Sequence, residues 1–394
     1  MADETRARKA YSFLIAATCR APEKILMARW SEVGAAAIDD LLWLSGELAV
    51  TPVLGRFARD YRASLSRDLA RRLTAVSLMS EARGTLSLTL LKRILAHDSL
   101  QDSENVVIKG GGLTLAGLTQ GTRYFVDIDV VIDEEKLDRW REAVRSCGAF
   151  WQPGAPGGYE AAYVTSEHSL IELHLALPGS AGSEHGPSYA ELKRCSQLVS
   201  SRILVPSAAV AREIAVQHFV AHHNGEPGHA LRTIQDLVSL EEAGEGEGLS
   251  WRDGGIADSV RRFRHIARAA SAGTEEKDAQ AAEFFDGLFR LVLTGRSAGE
   301  AHFSDAVDQW MESRATSGRS RLVLLATRIF PPPEAMRKTV GENSVITAAR
   351  YVTRPARLLV RYLRGSFQRL VHQRHTVELR RWRVLIGSRR SRRR

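Results

Sequence analysis

The sequence predicts an α+β protein: a small mixed β-sheet core embedded between N-terminal and C-terminal helical regions. Three observations predict it. Over residues 8–100 apolar side chains recur three and four apart, as in Leu86, Leu90, Leu91, Ile94 and Leu95, which is the period of an amphipathic helix. Between 106 and 177 short runs rich in Val, Ile and Tyr take over, as strands do. Beyond the Gly/Ser/Pro-rich stretch 178–188 the helical period returns.

The elements follow in order. YSFLIAATC (11–19) is apolar enough for the core face of a first helix, and Asp3 and Glu4 before it argue against a secretory signal. Pro22 and Pro52 punctuate the helical region. VVIKG (106–110) and YFVDIDVVI (124–132) read as strands, with a helix-length segment at 113–119 between them. EEKLDRWREAVRSCG (134–148) reads as a helix stopped by its glycine. YEAAYVT (159–165) and SLIELHLAL (169–177) read as strands joined by a tight turn at Ser166, Glu167 and His168. PGSAGSEHGPS (178–188) has the composition of a loop, and helices are expected at 207–223, 229–243, 256–272, 277–295 and 300–315. The expected divisions are an N-terminal helical region (1–100), the sheet core (101–180), a C-terminal helical region (181–335) and a basic amphipathic tail (336–394).

Composition narrows the class. The chain is 44% hydrophobic and 26% charged, as ordinary globular proteins are. Cys19, Cys147 and Cys195 form no CxxC pair, which argues against a disulfide framework or a cysteine zinc site. No apolar run approaches the roughly 20 residues that span a bilayer, so a cytoplasmic location is expected. The net charge of +9 is unevenly placed. Residues 337–394 hold 17 Lys and Arg against Glu342 and Glu378, a balance of +15, which leaves the body at −6. Arg350, Arg354, Arg357, Arg361 and Arg364 step by four and three, with Leu359, Leu363, Phe367 and Leu370 on a second stripe. Such a tail either docks through its leucines or binds an anionic lipid surface or a nucleic acid; lipid binding would make the protein peripheral to a membrane.

The chemistry concentrates in the core. Strand alternation puts Asp127 and Asp129 on one face, roughly 6.5–7 Å apart. In the later strand it puts Glu172 and His174 together, with Ile171 and Leu173 on the other face. If the two strands are neighbours, three carboxylates converge with a histidine beside them. Unmetallated, they would repel one another; a hard cation such as Mg²⁺, or Mn²⁺, answers that with oxygen ligation. Gly110, Gly111 and Gly112 follow a strand and precede a helix, where backbone N–H groups can cradle phosphate oxygens, although no GxxxxGK[ST] loop is present.

The order IKGG (108–111), Arg123, DIDVVI (127–132) and IELH (171–174) resembles the nucleotidyltransferase superfamily typified by DNA polymerase beta, and within it the bacterial uncharacterised nucleotidyltransferase family. ELAVTPVLGR (47–56) and HFVAHHNGE with LRTIQDL (218–237) resemble that family's flanking helices, so the likeness spans roughly 25–365. It implies metal-dependent transfer of a nucleoside monophosphate from a triphosphate such as ATP to a hydroxyl acceptor, with pyrophosphate leaving. Asp127, Asp129 and Glu172 would be the catalytic and metal-holding acids. Lys109, Gly110, Gly111, Gly112 and Arg123 would bind the nucleotide, and His174, His218, Arg232 and Asp236 the substrate. Two positions depart from the superfamily's pattern. Gly112 stands where Ser is common, which leaves the terminal phosphate to backbone contacts, and Glu172 stands where Asp is common, a longer arm. The rival readings are a catalytically degenerate nucleotide-binding or antitoxin-like protein, and a nucleic-acid-modifying toxin.

Residue spacing offers plainer roles for some of these. Arg232 and Asp236, at i and i+4, form a helix-surface ion pair by default. His218, His222 and His223 lack the glutamate of an HExxH zinc motif and read as a polar helix face along a cleft. Arg123 is either a phosphate contact or a surface arginine, and Lys109 either a nucleotide contact or a structural residue.

Overall fold

Why the first hundred residues coil into helices is visible in what they bury. The computed structural model describes residues 2–119, 121–125, 127–151, 161–164, 170–178, 185–222, 225–244, 254–295 and 373–387. Helices α1 (Ala2–Thr18), α2 (Glu23–Glu32), α3 (Ile38–Glu47), α4 (Thr51–Asp60) and α5 (Arg67–Leu95) precede the first strand. Tyr11, Phe13, Leu14 and Ile15 of α1 are buried, as the apolar run 11–19 predicts. Pro52 opens α4, where its missing N–H is no loss. The Ser66 hydroxyl accepts from the Leu69 N–H and starts α5, whose inner face carries Leu90, Leu91 and Ile94.

The sheet follows. Strands β1 (Asn105–Ile108), β2 (Asp127–Val131), β3 (Phe150–Trp151), β4 (Ala161–Val164), β5 (Leu170–His174), β8 (Ser196–Ser200) and β9 (Ile203–Pro206) form seven strands in the order β3-β4-β5-β2-β1-β9-β8. The remaining two, β6 (Ala176–Pro178) and β7 (His185–Ser188), make a separate pair. Helix α6 (Lys109–Leu115) joins β1 to β2, and α7 (Leu137–Ser146) follows β2. All four residues of β1 are buried, as a central strand with both faces covered requires. Helices α8 (Tyr189–Arg194), α9 (Ala208–Gln217), α10 (Pro227–Glu241), α11 (Gly254–Ser271), α12 (Ala279–Gly295) and α13 (Gln373–Leu385) complete the described elements.

β1 and β2 pair antiparallel although α6 connects them. Several expectations are corrected. Helix α6 begins at Lys109, not 113, so the glycine run is helical and not a loop. The stretch 169–177 breaks at Leu175 into β5 and β6, and β7 occupies part of the expected loop 178–188. The sheet also runs past residue 180, because β9 pairs parallel with β1 and β8 lies beside β9. ILVP (203–206) is a short apolar run fully buried, too brief to separate from the helices around it by periodicity. The turn at 166–168, the helix expected at 300–315 and the arginine stripe 350–364 lie outside the described residues.

The chain divides into two compact units, one of residues 1–150, 155–289 and 383–394, the other of 151–154 and 290–382. Every candidate site residue belongs to the first. Within the second, Glu378 lies 3.5 Å from Arg290, and Trp382 is buried. Among the described residues, no helix is long and apolar enough to cross a membrane.

Candidate active site

β2 lies between β1 and β5, and its pairing with β5 is parallel and in register: Asp129 stands opposite Glu172 and Val131 opposite His174. Asp129 and Glu172 therefore share a face by backbone geometry alone, with His174 two residues along the same face. The other face is apolar, with Ile128, Val130, Ile171 and Leu173 fully buried. The expected meeting of the two acidic strands occurs.

A tight corner brings in a fourth group. Lys109, where β1 turns into α6, has φ +54, in the left-handed region that residues with a Cβ rarely adopt. Its Nζ donates to Asp129 Oδ1 at 2.7 Å. Two glycines behind it are needed for packing. A Cβ on Gly112 would stand 2.3 Å from the carbonyl oxygen of Val107, and one on Gly110 would stand 3.1 Å from Phe125 Cβ. So the run IKGGG places α6 hard against β1. Gly110 lines the cleft, whereas Gly111 faces Val107 and Ile128.

His174 Nε2 lies 3.0 Å from Asp129 Oδ1 and 3.9 Å from Glu172 Oε2. Asp129, Glu172 and His174 each offer a ligand atom, all within 4.8 Å of one another. Asp127 stands outside that cluster, half-buried, but lines the same cavity. The electrostatics are uneven. Burial pushes the Asp129 carboxyl up, but the Lys109 ammonium and the His174 hydrogen bond outweigh it and hold it well below the usual carboxylate range. Glu172 goes the other way: burial, then the charges of Asp129 and Asp127, raise it to about 8. Burial lowers His174, which favours the neutral ring donating Nε2–H to Asp129. One acid is thus ionised and paired, and its neighbour is held protonated at neutral pH.

The cavity has a volume of about 350 Å³, within the range of small-molecule sites. The helices close it. In α10, His229, Arg232, Thr233 and Asp236 fall at i, i+3, i+4 and i+7, one stripe facing the cavity. In α9 and the π-helical turn that continues it (His218–His222), Ala211, Ala215 and His218 form the matching stripe. The two alanines leave room between the walls.

Two pairings differ from those expected by spacing. Asp236 does not pair with Arg232 four residues earlier. It takes a bidentate grip from Arg123, with Nε donating to Oδ1 at 2.6 Å and Nη2 to Oδ2 at 2.9 Å. Both partners are buried, and 113 residues separate them. Arg123 is therefore neither a surface residue nor free for phosphate. Arg232 instead donates through Nη2 to His229 Nδ1. His229 was missed, since a lone histidine after Pro-Gly carries no motif. The signal that finds it is the stripe H-x-x-R-T-x-x-D on one face of α10.

No curated protein and no solved structure matches the chain. A family model does match, over residues 34–254, a span that contains every residue lining the cleft. With the two acidic strands in register and the cleft above them, this match places the chain in the uncharacterised nucleotidyltransferase family.

Proposed function

We propose that the cleft transfers a nucleoside monophosphate from a nucleoside triphosphate to a hydroxyl acceptor, releasing pyrophosphate, with divalent-cation assistance. The observation that carries this reading is the register of Asp129 against Glu172, with Asp127 in the same cavity. The donor set fits a hard cation. Its oxygens converge, Glu172 is raised partly by its neighbours' negative charge, and an ammonium stands against Asp129, the deepest acid. Asp127, Asp129 and Glu172 would hold Mg²⁺ or Mn²⁺, with His174 positioning Asp129. When bound, the cation supplies charge for the triphosphate oxygens and for the leaving pyrophosphate.

The chain's own groups do the remainder. Gly110 and the first turn of α6, whose N–H groups lack intrahelical partners, border the phosphates. Glu172, once ionised, takes the proton of the acceptor hydroxyl. The hydroxyl oxygen forms a bond to the α-phosphorus, and the bond from that phosphorus to the α,β-bridging oxygen breaks. Melting temperature tests the reading. Mg²⁺ and a non-hydrolysable triphosphate together should raise it more than the sum of their separate effects, because each supplies ligands to the other. Additive shifts in wild type, or a cooperative shift that survives Asp129→Asn, would reject a shared site.

A further inference from the structure

Three cationic side chains line the cleft, and two of them are already satisfied. Lys109 is held by Asp129, and Arg123 by Asp236. Arg232 differs: among the described residues no carboxylate lies within ion-pair distance of it, and its one hydrogen-bonding partner is His229. An imidazole that accepts through Nδ1 offers a lone pair and no negative charge, so the guanidinium keeps its full positive charge. Burial, then the nearby charge of Arg123, lowers its pKa to about 10, which leaves it protonated at neutral pH. The far nitrogen of His229 lies 3.8 Å from Glu226 Oε2, and the His218 ring meets the His229 ring edge-on with centroids 6.0 Å apart. Asp236, Asp127 and Glu226 act on it only from beyond ion-pair distance, and a half-buried cation with no direct ionic partner favours an anion that joins it.

We propose that Arg232, with His218 and His229, forms a phosphate-binding subsite on the helical wall of the cleft. The guanidinium fork matches phosphate oxygens, and two ring edges beside it suit a group with three oxygens better than a carboxylate with two. Ala211 and Ala215 leave the adjoining volume open. The subsite rests on the nucleotidyl-transfer reading only for the phosphate's source, which is either the donor's terminal phosphate or a phosphate carried by the acceptor.

Inorganic phosphate is the probe, titrated calorimetrically into the full-length protein in chelator at fixed ionic strength. Wild type and Asp129→Asn should bind it. Arg232→Gln should weaken binding about tenfold or more, and Arg232→Lys, which keeps charge but loses the fork, by less. Equal binding by wild type and Arg232→Gln, or no saturable binding by wild type, overturns the proposal. If Arg232→Gln loses its native circular dichroism, Arg232→Lys and His229→Leu carry the same comparison.

A non-hydrolysable triphosphate with Mn²⁺ then separates the sources. Suppose it displaces phosphate, and Arg232→Gln weakens it without weakening the matching nucleoside monophosphate. The subsite then holds the donor's terminal phosphate. If phosphate still binds beside the analogue, the subsite belongs to the acceptor. An analogue that fails to bind wild type sinks the nucleotidyl-transfer reading, while the metal-free phosphate result still decides the subsite.

Discussion

Asp127 and Asp129 look equivalent in the strand DIDVV, yet their loss should have unequal consequences for the metal-free fold. Strand alternation alone suggests that removing either relieves repulsion and leaves the protein unharmed or steadier. The structure corrects this for Asp129. Its side chain is 3% exposed and bonded to a Lys109 ammonium 14% exposed, with His174 on the same oxygen. Asp129→Asn keeps the shape but strands that ammonium. Breaking a buried pair from one side costs about 3–5 kcal/mol; Lys109 retains some water, so about 3 kcal/mol is expected at pH 5. Glu172, raised from 4.5 to about 8 partly by the charge of Asp129, has cost the fold little at that pH, so its relief offsets little there. As pH climbs through that window the offset grows, so the deficit should shrink. Asp127 is half-buried and makes no ion pair among the described residues, so Asp127→Asn should stay within about 0.5 kcal/mol of wild type. Urea unfolding in chelator, followed by tryptophan fluorescence, measures both. An Asp129→Asn protein as stable as wild type at pH 5 would show that the Lys109 contact is incidental.

Glu172→Gln should uncover a pH dependence. A carboxyl raised from 4.5 to about 8 on folding weakens the fold as pH climbs through that window, with no penalty below it and the full penalty above it. The variant should gain on wild type across the window, by on the order of 5 kcal/mol in all, read as urea midpoints from pH 4 to 9; parallel curves would refute the shift. Gly112→Ala drives a methyl to 2.3 Å from the Val107 carbonyl and should destabilise by about 1–3 kcal/mol or more, whereas Gly34→Ala, with nothing within 4 Å, should be close to neutral. For the arginine stripe, truncation would remove the buried Trp382; replacing Arg350, Arg354, Arg357 and Arg361 by Gln is the cleaner test. Sedimentation with anionic vesicles and salt-dependent RNA binding should both fall, and binding undiminished by the replacement would leave the stripe a solvated face.

What could be read in the sequence was local and periodic. The alternation of DIDVV and LIELH announces which residues share a face, and the apolar run 11–19 announces a buried helix. Hydrophobic pattern does not encode which strands become neighbours, so the antiparallel pairing of β1 with β2 stayed hidden. Two short strands, β8 and β9, were lost for want of length. The Arg123 grip on Asp236 was illegible because each residue has a nearer candidate partner or none, and only the folded chain shows which desolvated charge needs which. His229 shows the reverse case: its stripe on α10 was present in the spacing, and no familiar motif drew attention to it.

The Arg123–Asp236 clasp has a kinetic consequence. It joins the approach to β2 with the middle of α10 across 113 residues, while Asp129 and Glu172 meet across 43. Loops of that length close late, after local helices have formed and only when the sheet register is set. A half-folded chain, with its early helices in place, would have neither acids facing one another nor a second wall to the cleft. Competence to bind should therefore emerge in the last phase of refolding and vanish in the first phase of unfolding, so that ligand capture reports on completion of the whole 100–241 segment and not on any one element within it.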